Sequence, residues 1–423
     1  MDGHPAVTAS LTLRLLCFSG RSAKRALFTA GLLAVALLTG CTYSDDQAAQ
    51  WRIIDMLQAE RQSYAANYPG WDGGMALYIV TPANTHFSAT GFSPYDTVNA
   101  FTRFRAASTT KTFTAAAILW LHERGLLDID DRLTDPIPGS TEPYLPDTAA
   151  FSIPYKSDMT IRQLLQHRAG VFDVSNQDIP DTVSEPYAGM RYMDYVREHL
   201  DDAHTFTFNE MAGVVSLNAL FNHLPEAQFW YSNTGYVLLG KIIERVSGQS
   251  YAQFISEKFL LPLGLAETSF PSLGSETTIP GPFFPGFTWF EDTLYPTTED
   301  NMSGHVAEGN GISSLHDLAT WIRRLMRAEA GINAANVSQM KSYLPTGEAH
   351  QNYGLGLTFT QGLGYGHNGG HRGYVTVMRY DPAYDITTVL VVCTLNESDI
   401  QGQLSWMYAI ISKARVLLGY PGL

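Results

Sequence analysis

A serine hydroxyl and a lysine amine three residues apart are the first groups in this 423-residue chain whose types and spacing could do chemistry. Ser108-Thr109-Thr110-Lys111 precedes Phe113, Ala117 and Leu121, which recur at intervals of four with Ala116 and Trp120 beside them. That spacing predicts a helix with one apolar face. Gly125 follows Arg124 where a C-terminal cap would sit, with a basic residue closing the last turn. Residues i and i+3 stack on one helix face. The amine therefore reaches the hydroxyl at the helix N-terminus, where backbone N–H groups and the helix dipole favour developing negative charge. This is how a serine becomes a nucleophile. Ser338-Gln339-Met340-Lys341 repeats the spacing in polar surroundings and reads as a solvated turn.

Two further stretches carry groups of use to such a serine. Tyr231-Ser232-Asn233 precedes a helical pattern. A tyrosine beside a cation can move a proton, and an asparagine amide offers both donors and an acceptor. Taken alone, the pair is equally a core tyrosine and a capping asparagine, since the chain has 22 tyrosines. Gly366-His367-Asn368-Gly369-Gly370 precedes a β pattern. Glycines there let a strand approach a ligand closely and leave N–H groups to donate, and a histidine can hold or polarise a substrate group. His371-Arg372-Gly373 competes for the same role.

The elements that must position these residues come from both ends of the chain. Residues 45–67 read as a tether and an amphipathic helix with Trp51, Ile54 and Leu57 on one side. Residues 74–81 and 85–92 read as a β-hairpin. From about 133 to 300 the pattern is helical and loop-rich, with 280–296 a loop rich in proline, glycine and aromatics. Phe284 and Trp289 with Phe283 and Phe290 either line a pocket in it or cover the core. Ser314 with Asp317 caps a helix. Strands follow at 355–360, 374–380 and 386–394, and a final helix at 404–418. Strands from the two ends must then meet in one antiparallel sheet, with the helical middle as a second lobe and a cleft at the junction.

Net charge is −14, which disfavours a nucleic-acid partner. Arg21, Lys24 and Arg25 precede an apolar run, 26–38, that ends in Leu38-Thr39-Gly40-Cys41. A basic region and a short apolar region have signal-peptide proportions. The ending resembles the bacterial lipobox, which implies lipid on Cys41. Cys393 sits in an apolar run as a buried strand residue, so the three cysteines give no disulfide framework, and no Cys/His spacing suits a metal.

Ser-x-x-Lys, then Tyr-x-Asn, then His-x-Gly, in that order, resembles the serine β-lactamase-related family. This family holds class C β-lactamases, D-alanyl-D-alanine carboxypeptidases, esterases and D-amino-acid peptidases. The stretches 104–131, 159–171, 231–270, 308–322 and 353–357 resemble it too. Residues 172–228 depart from it, and Arg168-Ala169-Gly170 stands where the family has Thr-Ser-Gly. The resemblance implies an α+β, β-lactamase/transpeptidase-like fold: an antiparallel sheet flanked by helices, an all-helical lobe, and the site between them. The leader pattern gives a signal peptide over 1–40 and a tether and N-terminal helix over 41–73, and the resemblance implies a hydrolase domain over 74–423 with its helical lobe at about 133–300. It makes Ser108 the nucleophile, Lys111 its neighbouring amine, Tyr231 the general base, Asn233 a positioning group and His367 a substrate-side group. The N–H groups of Ser108 and Gly370, beside Gly369, would form the oxyanion hole. No cofactor is implied. The expected function is a D-alanyl-D-alanine carboxypeptidase-like envelope enzyme acting on peptidoglycan stem peptides, lipid-anchored to the membrane. A carboxylesterase or β-lactamase acting on an ester or β-lactam, and a silent penicillin-binding-like scaffold, are the alternatives. His367 stands where most class C enzymes have lysine, which weakens the β-lactamase reading, unless Arg372 restores the charge.

Overall fold

The computed structural model describes residues 45–93, 97–347 and 351–423. The expected leader and Cys41 lie outside them. Residues 49–423 form one compact unit, and a separate leading unit ends at Ala48. Among the described residues, no helix is long and apolar enough to cross a membrane.

The sheet has eight antiparallel strands in the order β2-β1-β12-β11-β10-β9-β8-β7. The N-terminal hairpin supplies β1 (Met75–Val80) and β2 (Thr85–Thr90). The C-terminal region supplies β7 (Leu344–Pro345), β8 (Gln351–Tyr353), β9 (Thr358–Thr360), β10 (Gly364–His371), β11 (Tyr374–Asp381) and β12 (Ile386–Val392). Met75 stands opposite Val392, so the two ends of the chain do meet in one sheet.

Alternation along these strands makes two cores. Leu77, Ile79, Val375, Val377, Leu390 and Val392 face a helical layer of α1 (Asp45–Asn67) and the last helix, Ile400–Leu417. Met378, Val389 and Val391 face the opposite way, toward the helical lobe. The buried positions of α1 include Ile53, Leu57 and Tyr64, while Trp51 is exposed. Of the expected apolar side, Leu57 is buried, Ile54 half-buried and Trp51 exposed, and the helix is part of the domain. Tyr64 stacks on Trp406, and Asn396 donates to its hydroxyl.

Between sheet and lobe runs α2 (Thr110–Glu123). The spacing predicted one apolar face, but nearly every position is buried. A helix apolar all round belongs in a core, and the threonine hydroxyls of α2 each find a partner. Trp321 Nε1–H donates to Thr112 Oγ1, Thr114 Oγ1–H donates to the Ala307 carbonyl, and the Gly311 N–H donates to Thr110 Oγ1. Phe113 stacks on Trp321 at 3.9 Å.

The lobe carries α3 (Ile161–Leu165), α4 (Tyr192–His199), α5 (Phe208–Leu217), α6 (Asn233–Ser247) and α7 (Tyr251–Ile255). Thr160 and Gln163 form the capping box of α3. The expected loop over 280–296 holds a hairpin, β4 (Phe287–Phe290) with β5 (Thr293–Pro296), and β13 (Thr394–Asn396) joins it in parallel. Its partner lies a hundred residues away, so local pattern did not reveal it. Phe284 and Trp289 are core, while Phe283 and Phe290 are exposed. Cys393 is fully buried.

Candidate active site

The turn that carries Ser108 is built by strain and a threonine hydrogen bond. Ala107, immediately before Ser108, has a φ of +49°, a left-handed conformation that costs a non-glycine residue roughly 1–2 kcal/mol. A short 3-10 turn, Ala107–Thr109, then leads into α2. Thr109 Oγ1–H donates to the Ala106 carbonyl and holds the turn at 2.9 Å. The short strand β3 (Arg103–Arg105) delivers the chain to this point, paired with β6 (Ile312–Ser314).

Lys111 has no solvent exposure, and its ammonium sits among four acceptors. Nζ donates to Asn233 Oδ1 at 2.7 Å, to the Glu308 carbonyl at 2.7 Å and to Ser108 Oγ at 3.2 Å, with Glu308 Oε2 at 3.4 Å. An ammonium has three protons, and three good acceptors take them. Burial lowers the Lys111 pKa against the opposing pull of Glu308 and Asp173. Burial opposes the charge on Glu308 too, but His305 and Lys111 outweigh it and hold that carboxyl below its ordinary value. His305 Nδ1 lies 2.5 Å from Glu308 Oε1. Burial lowers the His305 pKa, yet the carboxylate beside it raises it on balance.

Asn233 is the first residue of α6. Ser232 is its N-cap, accepting from the Gly235 N–H. Tyr231 thus projects from just before a helix start, with the Lys111 ammonium 4.8 Å from its ring centre. Burial pushes the Tyr231 hydroxyl well up in pKa. A hydrogen bond with Ser108 lowers it, and Glu308 and Asp173 raise it further. Tyr231 is therefore a neutral phenol in contact with the nucleophile. The cation beside it does not turn it into a phenolate.

The glycine-rich strand forms the facing wall. β9 pairs with β10 only through Gly364–Gly366, so the rest of β10 turns an edge free of strand partners toward the nucleophile turn. Gly369 permits the approach: a Cβ there would lie 2.4 Å from the Ala106 carbonyl oxygen. At Gly370 an added Cβ would meet nothing within 4 Å. Ser108, Tyr231, Asn233, His367, Gly369 and Gly370 line one cavity of about 400 Å³.

His367 reaches this wall, but the protein uses both of its ring nitrogens. Nδ1 lies 2.5 Å from the Asn368 carbonyl, and Nε2 lies 2.9 Å from the Tyr353 hydroxyl. Burial first, then Lys111, drives its pKa down to about 3. His371, the competing histidine, bonds Asp300 Oδ2 at 2.7 Å and is held by that partner. Arg372 pairs with Asp194 at 3.7 Å and does not line this cavity. Ser338 is exposed, and Lys341 Nζ donates to the Met326 carbonyl, so the second Ser-x-x-Lys is structural.

The sequence pattern did not single out Glu308, His305, Tyr353 or His167. Glu308 and His305 sit three residues apart in a glycine-rich turn. The left-handed Ala307, φ +70°, brings both the carbonyl and the carboxylate of Glu308 onto Lys111. The signals available were a histidine and an acid three residues apart and the place of Glu308 at the start of the family-like stretch 308–322.

A buried lysine coupled to a serine across the junction of an antiparallel sheet and a helical lobe defines a serine hydrolase of β-lactamase/transpeptidase-like fold. The chain belongs to the β-lactamase family, whose model matches residues 68–403. A penicillin-binding protein of Bacillus subtilis (strain 168) is 28% identical over 338 residues, 75% of this chain and 65% of that protein. Protein flp of Staphylococcus aureus (strain COL) is 31% identical over 40% of this chain and 28% of its own length. The chain thus spans under two thirds of the length of these relatives. Among solved structures, a D-stereospecific amidohydrolase from Streptomyces sp. aligns with a TM-score of 0.68 at 22% identity, over 84% of this chain and 98% of that one. The D-amino acid amidase from Ochrobactrum anthropi SV3 aligns with a TM-score of 0.68 at 21% identity, over 87% and 99%.

Proposed function

We propose that this protein hydrolyses amide or ester bonds of small peptides and amino-acid derivatives through an acyl-enzyme on Ser108. The observation that carries this is Ser108 Oγ, on the wall of an open cavity, held 3.2 Å from the amine of the fully buried Lys111. Ser108 Oγ attacks the carbonyl carbon as its proton passes to Tyr231 Oη. Tyr231, already a neutral phenol, gives its own proton to the leaving nitrogen or oxygen as that bond breaks. No phenolate need exist at rest. The Lys111 ammonium stabilises negative charge on both oxygens as it develops. Asn233 and Glu308 hold that ammonium in place. The N–H groups of Ser108 and Gly370 receive the carbonyl oxygen. Water then attacks the acyl-enzyme, and Tyr231 relays the proton back to Ser108.

The names of two structural neighbours, a D-stereospecific amidohydrolase and a D-amino acid amidase, support D-configured substrates. The D-alanyl-D-alanine carboxypeptidase implied by the resemblance is the peptidase member of this class. A lipid on Cys41 would place the enzyme on the outer side of a bacterial membrane, beside peptidoglycan stem peptides. The test is hydrolysis of an activated neutral ester by the parent and by Ser108→Ala. Turnover in the parent alone supports the reading; equal background in both sinks it.

A further inference from the structure

The hydrogen bonds behind Tyr231 form one chain with fixed ends. The Ser232 N–H donates to His167 Nδ1 at 3.1 Å. His167 Nε2 lies 3.1 Å from the Tyr353 hydroxyl, which lies 2.9 Å from His367 Nε2. His367 Nδ1 ends the chain on the Asn368 carbonyl. A backbone N–H only donates and a carbonyl only accepts, so with both histidines neutral the two ends set their tautomers; Tyr353 also meets Tyr236, whose own proton goes to the Leu165 carbonyl. His167 carries its proton on Nε2, Tyr353 donates to His367 Nε2, and His367 carries its proton on Nδ1. A second proton on His367 would reverse its bond to Tyr353 and aim two donors at one hydroxyl. The charged groups facing His367, Lys111 from α2 and Arg379 from β11, both oppose that proton. The other neighbours, Tyr231 and His167, are neutral.

The rest of the wall offers a carboxylate no better partner. Among the described residues lining the cavity there is no lysine or arginine; the two other histidines that line it are each paired with an acid, His305 with Glu308 and His371 with Asp300. Lys111 lies behind the wall with its donors spent. Arg379 is buried behind Asn368 and donates to Asn368 Oδ1 at 2.7 Å, to the Tyr408 hydroxyl and to the Met378 carbonyl. An adjoining cavity of about 590 Å³ does contain arginines, each with an acid beside it. Arg197 lies 2.7 Å from Asp300, Arg372 lies 3.7 Å from Asp194, and Arg191 lies 3.9 Å from Asp178.

We propose that the Ser232–His167–Tyr353–His367–Asn368 chain makes this site select substrates with no carboxylate beside the scissile bond: amides, esters and amino-bearing acyl donors ahead of free C-terminal acids. This rests on the acyl-enzyme reading above and narrows its substrate class. It makes a carboxypeptidase or an efficient penicillin hydrolase the wrong specialisation of the fold for this chain.

Two phenylacetyl esters, one releasing 3-hydroxybenzamide and one releasing 3-hydroxybenzoate, differ at the leaving group only by an amide for a carboxylate. Each kcat/KM is divided by the ester's hydroxide-catalysed rate. The expected result is a preference of at least 10-fold for the benzamide ester, reduced several-fold in His367→Lys, which places an ammonium on the wall. A ratio of one or less in the parent overturns the inference while leaving the serine hydrolase standing. Ser108-independent turnover of both esters instead overturns the proposed function, and this inference with it. Nitrogen-15 NMR of the histidine rings gives an independent readout. His367 is expected as the Nδ1–H tautomer and His167 as the Nε2–H tautomer, unchanged from pH 8 to pH 5. Titration of His367 in that range overturns the fixed proton order even if His367→Lys fails to fold.

Discussion

Glu308→Gln keeps the shape of a buried side chain and removes its charge. Glu308 Oε2 lies 3.4 Å from Lys111 Nζ, so at an effective dielectric near 20 their attraction is about 5 kcal/mol. Lys111 can limit that loss by shedding its proton. A lysine of ordinary pKa, about 10.4, gives up its proton at pH 7 for about 4.6 kcal/mol, at about 1.36 kcal/mol per unit. The variant should thus lose about 3–5 kcal/mol at pH 7, the usual range when a buried pair loses one partner. The sign with pH follows from proton counting. In the variant, Lys111 is neutral when folded and charged when unfolded. The unfolded state binds more protons, so the variant gains stability as pH rises. Its deficit should shrink by about 1.4 kcal/mol per unit between pH 7 and pH 9.

His305 adds a second trend in the same direction. Its folded pKa is raised on balance by Glu308, so what it adds to the parent is full below its unfolded value, about 6.5, and is lost as pH rises through the folded value. The comparison is therefore made between His305→Gln and His305→Gln/Glu308→Gln, by urea unfolding at pH 7, 8 and 9. A deficit identical at all three pH values would refute the reasoning, because Lys111 would then hold the same charge in both proteins.

Gly369→Ala should push β10 off the Ala106 carbonyl, which an added Cβ would meet at 2.4 Å. A displacement of that order at a reacting centre costs about 100-fold in kcat/KM, read by ester hydrolysis, with a loss of stability of about 1–3 kcal/mol. Asp381→Asn should cost about 3–5 kcal/mol in denaturant unfolding with little change in kcat, since Asp381 holds the buried Arg415 at 2.7 Å, on the sheet face away from the nucleophile. Cys41→Ser should abolish processing and membrane attachment, checked by the mass of the mature chain. A mature protein that begins elsewhere would refute the lipobox reading.

The residues gathered around Ser108 were legible in the sequence because each sits where a local rule leaves a mark. Ser108 and Lys111 share a helix start, Asn233 opens a helix, and the glycines of β10 interrupt a strand pattern. The two-ended sheet was legible from alternation at both termini. What escaped was set by contacts across the fold. Trp51 looked like the apolar side of α1 along with Leu57, yet Ile53 and Tyr64 join Leu57 in the core and Trp51 faces water. Glu308 owes its role to one left-handed residue, Ala307. Tyr353 and His167 matter only because Ser232 and Asn368 terminate the chain that joins them, about 130 residues apart in sequence. The β4–β5 hairpin depends on a strand from the far end of the chain.

The central claim is that Ser108 becomes acylated with Lys111 and Tyr231 beside it. The most direct measurement is the intact mass of residues 42–423 after reaction with an uncharged fluorophosphonate, followed by peptide mapping, beside Ser108→Ala. The account predicts one adduct in the parent, located on Ser108, and none in the variant. No adduct in the parent, or the same adduct in both proteins, would contradict it.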